Sequence, residues 1–91
     1  MSVSREELKR RACEAVDKNR DKIIAFGESV FAEPELGFKE FKTSAKVKKA
    51  FEEMGVAYTD GHAITGVIAP FKGKESKLKV ALMGELDAVV C

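Results

Sequence analysis

A proline at position 34, set in Glu33-Pro34-Glu35-Leu36-Gly37, separates two runs of helical periodicity and prevents them from forming one rod. Proline has no amide proton to donate and biases the residue before it away from the helical region, so a helix must end or kink near Glu33. Before the break, Ser4 and Glu7 have the spacing of a capping box. Leu8, Ala12, Ala15, Val16, Asn19, Ile23, Phe26 and Val30 then recur at steps of three and four. This predicts one long amphipathic helix over residues 4–32, with Arg5, Arg10, Glu14, Asp17 and Asp21 on a solvated face. After the break, Phe41, Ala45, Val47, Ala50, Phe51 and Met54 mark a second helix beginning near Phe38, and Gly55 is placed to cap it in the left-handed conformation. Lys46, Lys48 and Lys49 share that helix with Glu40, Glu52 and Glu53, which reads as a solvated face rather than a nucleic-acid patch.

Beyond Gly55 the pattern changes to that of strands. Residues 56–59, 64–71 and 78–83 are the strand candidates, with Asp60-Gly61-His62 as a turn, Pro70 demoting the end of the second strand, and the polar run from Lys72 to Lys77 as a hairpin loop. The third strand is apolar at consecutive positions, as a strand covered on both faces would be. The expected fold class is α/β, or α+β as an isolated piece: two helices followed by a three-stranded mixed sheet in one domain spanning 1–91.

Composition limits what such a piece can do. The chain has 91 residues, 45% hydrophobic and 34% charged, which excludes a disordered or fibrous chain. A net charge of +1 lacks the electrostatic footprint of a nucleic-acid binder. No apolar run approaches the roughly 18 to 20 residues that cross a bilayer, and the polar opening sequence does not read as a signal peptide, so the expected compartment is the cytoplasm with no membrane partner. Cys13 and Cys91 are far apart and read as reduced thiols, and a single histidine, His62, cannot supply a site of several imidazoles.

Chemistry concentrates in Met83-Gly84-Glu85-Leu86-Asp87-Ala88. On a strand, alternation would put Glu85 and Asp87 on one side, at the carboxyl end where open α/β sheets place their ligands. Such a pair offers hard oxygen ligands or general bases, although two solvated carboxylates at a strand end are the plainer reading. The apolar run Ala88-Val89-Val90-Cys91 then closes the sequence without a polar tail, the pattern expected of a boundary cut through a larger fold.

These residues resemble a family. Phe31-Ala32-Glu33-Pro34-Glu35-Leu36-Gly37-Phe38-Lys39-Glu40-Phe41-Lys42-Thr43-Ser44 is similar to the PELGFxExxTS segment of the metal-dependent amidohydrolases related to aminoacylase, hippurate hydrolase, the auxin-conjugate hydrolases and aminobenzoyl-glutamate hydrolase. Met54-Gly55-Val56, Thr65-Gly66-Val67-Ile68-Ala69 and the run from Lys79 to Ala88 follow in that family's order. The resemblance implies the N-terminal portion of a zinc-peptidase-like catalytic domain, whose full form uses zinc or manganese to hydrolyse the amide bond of an N-acyl amino acid or dipeptide-like substrate. The metal there polarises the carbonyl and activates a water, while a glutamate takes the proton. Asp87 matches the family's aspartate that orients a metal ligand from behind. Glu85 stands where other branches carry a metal-binding histidine, which makes it the candidate metal ligand of this stretch, a role the change from imidazole to carboxylate argues against. In the similar branch the metal ligands and general base lie beyond Cys91, so this chain is expected to bind no metal itself and to be inactive alone.

The remaining polar residues have structural readings. Glu35 and Glu40 are expected to cap or brace the second helix, Thr43 to bond a backbone carbonyl within it, and His62 to be a solvated turn residue. Cys91 has no histidine nearby in sequence and takes no nucleophilic role. The competing reading is a self-standing interaction module whose open sheet edge pairs with a partner or a second copy.

Overall fold

The computed structural model of the chain describes residues 3–73 and 77–89. It is an α+β arrangement of three helices and a two-stranded sheet, in the order α1 (Arg5–Lys18), α2 (Arg20–Ala32), α3 (Phe41–Glu53), β1 (Thr59–His62) and β2 (Gly66–Ile68). The chain divides after Ala32 into two compact units.

The first unit holds α1 and α2. Ser4 is the N-cap of α1, and its hydroxyl accepts the Glu7 amide at 3.1 Å, as the capping-box spacing predicts. Arg10 pairs with Glu7 and Glu14, and Arg11 reaches Glu7 at 3.1 Å, so the polar face is laced along one side. The single helix expected over 4–32 is interrupted at Asn19, whose φ of −99° and ψ of 10° leave the helical well. Its side-chain amide donates to the Ala15 carbonyl at 2.7 Å, competing with the backbone ladder in the way that makes asparagine a poor helix interior. No helix among the described residues is long and apolar enough to cross a membrane.

The second unit begins with the irregular segment around Pro34. The Lys39 amide donates to the Leu36 carbonyl at 2.9 Å, closing a turn in which Phe38 takes a φ of 63°. A left-handed residue cannot continue a right-handed helix, and this is why α3 starts at Phe41 rather than near Phe38. Its other end follows the sequence closely. Gly55 has a φ of 70°, its amide bonds the Glu52 carbonyl at 3.1 Å, and the Val56 amide bonds the Phe51 carbonyl at 2.9 Å. This is the paired closure of a glycine-terminated helix.

β1 and β2 form an antiparallel hairpin; β2 falls inside the strand expected over 64–71, whereas β1 begins only at the last residue of the strand expected over 56–59. Asp60, Gly61 and His62, expected as a turn, are part of β1, and the reversal falls on residues 63–65. Thr59 faces Ile68 and His62 faces Gly66, so three steps along β1 are matched by two along β2. The extra residue is a bulge beside Gly61, whose φ of 78° glycine accepts readily. At the tip, Ala63 and Ile64 have φ of 46° and 76°, and the Thr65 amide bonds the Ala63 carbonyl at 3.0 Å. The tight turn forces a β-branched residue into a region that such side chains avoid.

The third strand expected over 78–83 is absent: those residues carry no strand in the structure. Leu78, Val80, Leu82 and Met83 are all more than four-fifths exposed, Leu82 completely so. An apolar stretch becomes a strand only when a neighbour supplies the ladder, and the described sheet ends at β2. The loop expected from Lys72 to Lys77 lies partly outside the described residues. The described residues also contain no buried hydrophobic side chain; those that are buried are Thr43, Ser44 and Thr65.

Two glycines test this description. A Cβ on Gly66 would lie 2.5 Å from the His62 carbonyl oxygen, which is backbone and cannot move aside, so Gly66→Ala should open the hairpin. Hydrogen exchange of the β1 and β2 amides should rise toward unprotected rates; retained protection contradicts the register. Gly55→Ala should cost about 1 kcal/mol in a denaturant titration, from the left-handed conformation alone.

Candidate functional site

Pro34 delivers the chain to Glu35, whose carboxylate turns back onto the start of α3. One oxygen, Oε1, accepts the Thr43 amide at 2.6 Å and the Thr43 hydroxyl at 2.8 Å, and the other, Oε2, accepts the Lys42 amide at 3.1 Å. Helix N-termini present amide protons without helical partners and a partial positive charge. Glu40 occupies the N-cap position but makes no side-chain cap bond, so Glu35 performs the capping from five residues upstream. Thr43 therefore bonds a carboxylate rather than the helical carbonyl expected for it. Burial pushes the Glu35 carboxyl up, but the Thr43 amide and hydroxyl and the Lys42 amide together hold it below the ordinary glutamate range. Glu33 lies beside it, with Lys46 at 3.1 Å and Lys42 at 3.4 Å, and those two cations lower its carboxyl as well.

A second set of bonds ties α3 to the hairpin. The buried Ser44 hydroxyl donates to the Thr65 carbonyl at 2.7 Å, and the Thr65 hydroxyl donates to Glu40 Oε1 at 3.2 Å. Glu40 thus braces the helix against β2 instead of capping it. Thr43 and Ser44 are adjacent hydroxyls at a helix start, which was the available signal for this junction. Thr65 stands in a run that follows the family's order, but no local pattern pairs it with Ser44 or Glu40.

The Met83 to Ala88 stretch joins this arrangement through the backbone. The Ala88 amide donates to the Glu35 carbonyl at 2.7 Å, and Asp87 Oδ2 lies 4.0 Å from the position a Cβ on Gly37 would take. The structure therefore brings Asp87 to the proline segment, two parts of the sequence some fifty positions apart. Both Asp87 and Glu85 are exposed, and no strand is present there to enforce the alternation expected of them. His62 is also exposed, at the end of β1, with its Nε2 2.8 Å from the Thr59 hydroxyl.

The described donors do not fit a metal ion. No group of three or more His, Cys, Asp or Glu side chains able to hold one occurs among the described residues, and Glu85, Asp87 and His62 do not converge. The lysines of α3 are committed to carboxylates: Lys46 to Glu33, Lys48 to Asp60 at 2.9 Å and Lys49 to Glu53 at 4.0 Å. Cys13 is an exposed free thiol on α1, and Cys91 lies outside the described residues. What the arrangement does is join the Asp87 stretch to the proline segment through the bond from the Ala88 amide to the Glu35 carbonyl, with the Asp87 carboxylate lying near Gly37.

Comparison with known proteins gives the context. An IAA-amino acid hydrolase of Arabidopsis thaliana, ILR1-like 5, is 36% identical over 69 residues, which cover 76% of this chain and 16% of that protein. N-acetylcysteine deacetylase of Bacillus subtilis (strain 168) is 32% identical over 69 residues, 75% of this chain and 18% of its own. N-acyl-L-amino acid amidohydrolase of Geobacillus stearothermophilus is 30% identical over 87 residues, 96% of this chain and 22% of its own. The chain thus spans only 16% to 22% of the length of these relatives. No family model and no solved structure matches it.

The two bonded sets respond differently to perturbation. Because Glu35 is held below its ordinary range in the folded chain, its contribution is complete above the unfolded glutamate pKa of about 4.3 and is lost as the pH falls through the lowered value. The stability gap between the wild type and Glu35→Gln should therefore narrow as urea titrations are moved from neutral pH to below about pH 4; a gap that widens would contradict the capping role. Ser44→Ala leaves the Thr65 carbonyl without its buried donor and should cost about 1–3 kcal/mol in the same titrations at neutral pH.

Proposed function

Because the chain belongs to the amidohydrolase and peptidase family of these relatives, we propose that it is the N-terminal portion of the catalytic domain of a metal-dependent hydrolase. The reaction of the longer protein is cleavage of the amide bond of an N-acyl amino acid or a dipeptide-like compound. The observation that carries this reading is the similarity itself, which extends over three-quarters or more of the chain to proteins named as hydrolases of amino acid conjugates and acylated amino acids.

In this reading the chain supplies a wall of the site and not its reacting centre. Among the described residues no group of three or more His, Cys, Asp or Glu side chains is placed to hold a metal. Zinc or manganese, the ligands that hold it and the general base belong to the portion of the protein that this chain does not cover. Asp87 takes the part of a carboxylate that orients a ligand from behind. Glu85, exposed and in the position where other branches carry a histidine, is left without a ligand role in this reading. The uncovered apolar residues 78, 80, 82 and 83 fit the same picture, because a strand apolar on successive positions is made to be covered on both faces.

The exposed 78–83 segment also supports the reading as an interaction module, since an extended apolar segment can add itself to another sheet edge. In the isolated chain it is the place where a second copy would pair. The two readings part on catalysis and on what Asp87 does.

The purified 91-residue chain, supplied with zinc or manganese, should give no turnover of N-acetyl or N-benzoyl amino acids. Steady hydrolysis that rises with added metal and disappears with chelator would overturn the proposal that the working centre lies elsewhere. In a longer protein carrying this segment, Asp87→Asn should lower kcat by roughly 10- to 100-fold, the range for groups that orient metal ligands. An unchanged kcat would favour the module.

A further inference from the structure

Glu35 is bonded at both ends of the residue, and the two ends serve different parts of the fold. Its carboxylate is fixed on α3 by the Lys42 amide and by the Thr43 amide and hydroxyl. Its main-chain carbonyl accepts the Ala88 amide at 2.7 Å. Pro34 restricts the backbone on one side of it, and the turn closed by Leu36 and Lys39 restricts it on the other. The carbonyl is thereby presented in one direction, and the residue next to its partner is Asp87, with Oδ2 beside Gly37.

We propose that Glu35 is a positioning residue for Asp87: by gripping the start of α3 through its side chain, it holds its own carbonyl where the Ala88 amide can dock, and so fixes the Asp87 carboxylate beside Gly37. The proposal deepens the hydrolase reading and rests on it for the importance of Asp87, but the mechanical coupling stands on this chain's geometry. A helix cap alone requires only the side chain. The coupling requires that loosening the side chain also release an amide that the side chain never touches.

That difference sets the experiment. Amide hydrogen exchange is measured by NMR on the full 91-residue chain, with far-UV circular dichroism reporting whether each variant keeps its helices. Glu35→Ala should speed exchange at Ala88 by about tenfold or more, the loss of one ordinary hydrogen bond. Glu35→Gln should stay within about threefold of the wild type at Ala88, because an amide oxygen at the Oε1 position keeps both Thr43 bonds, and should lose protection chiefly at Lys42. Ser44→Ala loosens the junction of α3 and β2 without touching Glu35; once the change in global stability read from its urea titration is subtracted, Ala88 should lie within about twofold of the wild type.

Ala88 exchange that is unchanged in Glu35→Ala overturns the proposal, as does equal acceleration in Ser44→Ala and Glu35→Ala after each variant's change in global stability is subtracted. Should Glu35→Ala lose its helical ellipticity, Glu35→Gln decides: protection kept at Ala88 with loss at Lys42 supports the coupling, and loss at Ala88 overturns it. The hydrolase reading fails separately. If Asp87→Asn leaves kcat of a longer protein unchanged, Glu35 still positions Asp87, but for some purpose other than hydrolysis.

Discussion

Helix α3 starts with amide protons that its own N-cap residue does not bond, and the carboxylate of Glu35 meets those of Lys42 and Thr43. A negative group at that end satisfies the donors and opposes the positive end of the helix dipole. Several of the long-range bonds in the second unit start at or next to this contact. The carbonyl of the same residue takes the Ala88 amide, the next residue of α3 after Thr43 reaches the Thr65 carbonyl, and Glu40 returns to the Thr65 hydroxyl. Hydrogen bonds thus supply the order that apolar packing supplies in most domains, since no described hydrophobic side chain is buried.

How far this was legible depends on whether the determining interaction is local. The Ser4 cap and the Gly55 closure involve residues within one or two turns, and periodicity with start and stop signals located both. The interruption at Asn19 is local too, but the apolar pattern runs through it, and only the propensity of asparagine argued otherwise. The hairpin was misplaced because its reversal uses Ala63 and Ile64 at positive φ, which no turn-residue preference predicts, while Asp60 and Gly61 look like a turn and serve as strand and bulge. The strand expected over 78–83 shows the opposite limit: its pattern describes a covered environment that the described chain does not provide.

The candidate site divides in the same way. Glu35 was read as a cap or brace on chemical grounds and is one. Ser44 and Thr65 make a contact across 21 positions that leaves no local pattern. The bond from Ala88 to Glu35 is between backbone atoms and carries no signature at all in residue identity. The sequence singles out Asp87 and Glu85 together; both are exposed in the structure, and Asp87 has its carboxylate near Gly37. A family resemblance spanning both the proline segment and the Asp87 stretch is intelligible in these terms, because the two meet in space.

The proposed role of this chain is a wall of a hydrolase site whose metal is held by residues it does not contain. Native mass spectrometry of the chain, loaded separately with zinc and manganese and then dialysed, tests it most directly. The account predicts that no metal is retained in stoichiometric amount. One tightly held ion per chain, lost on replacing Glu85 or Asp87 by alanine, would contradict it and would make this segment a metal centre in its own right.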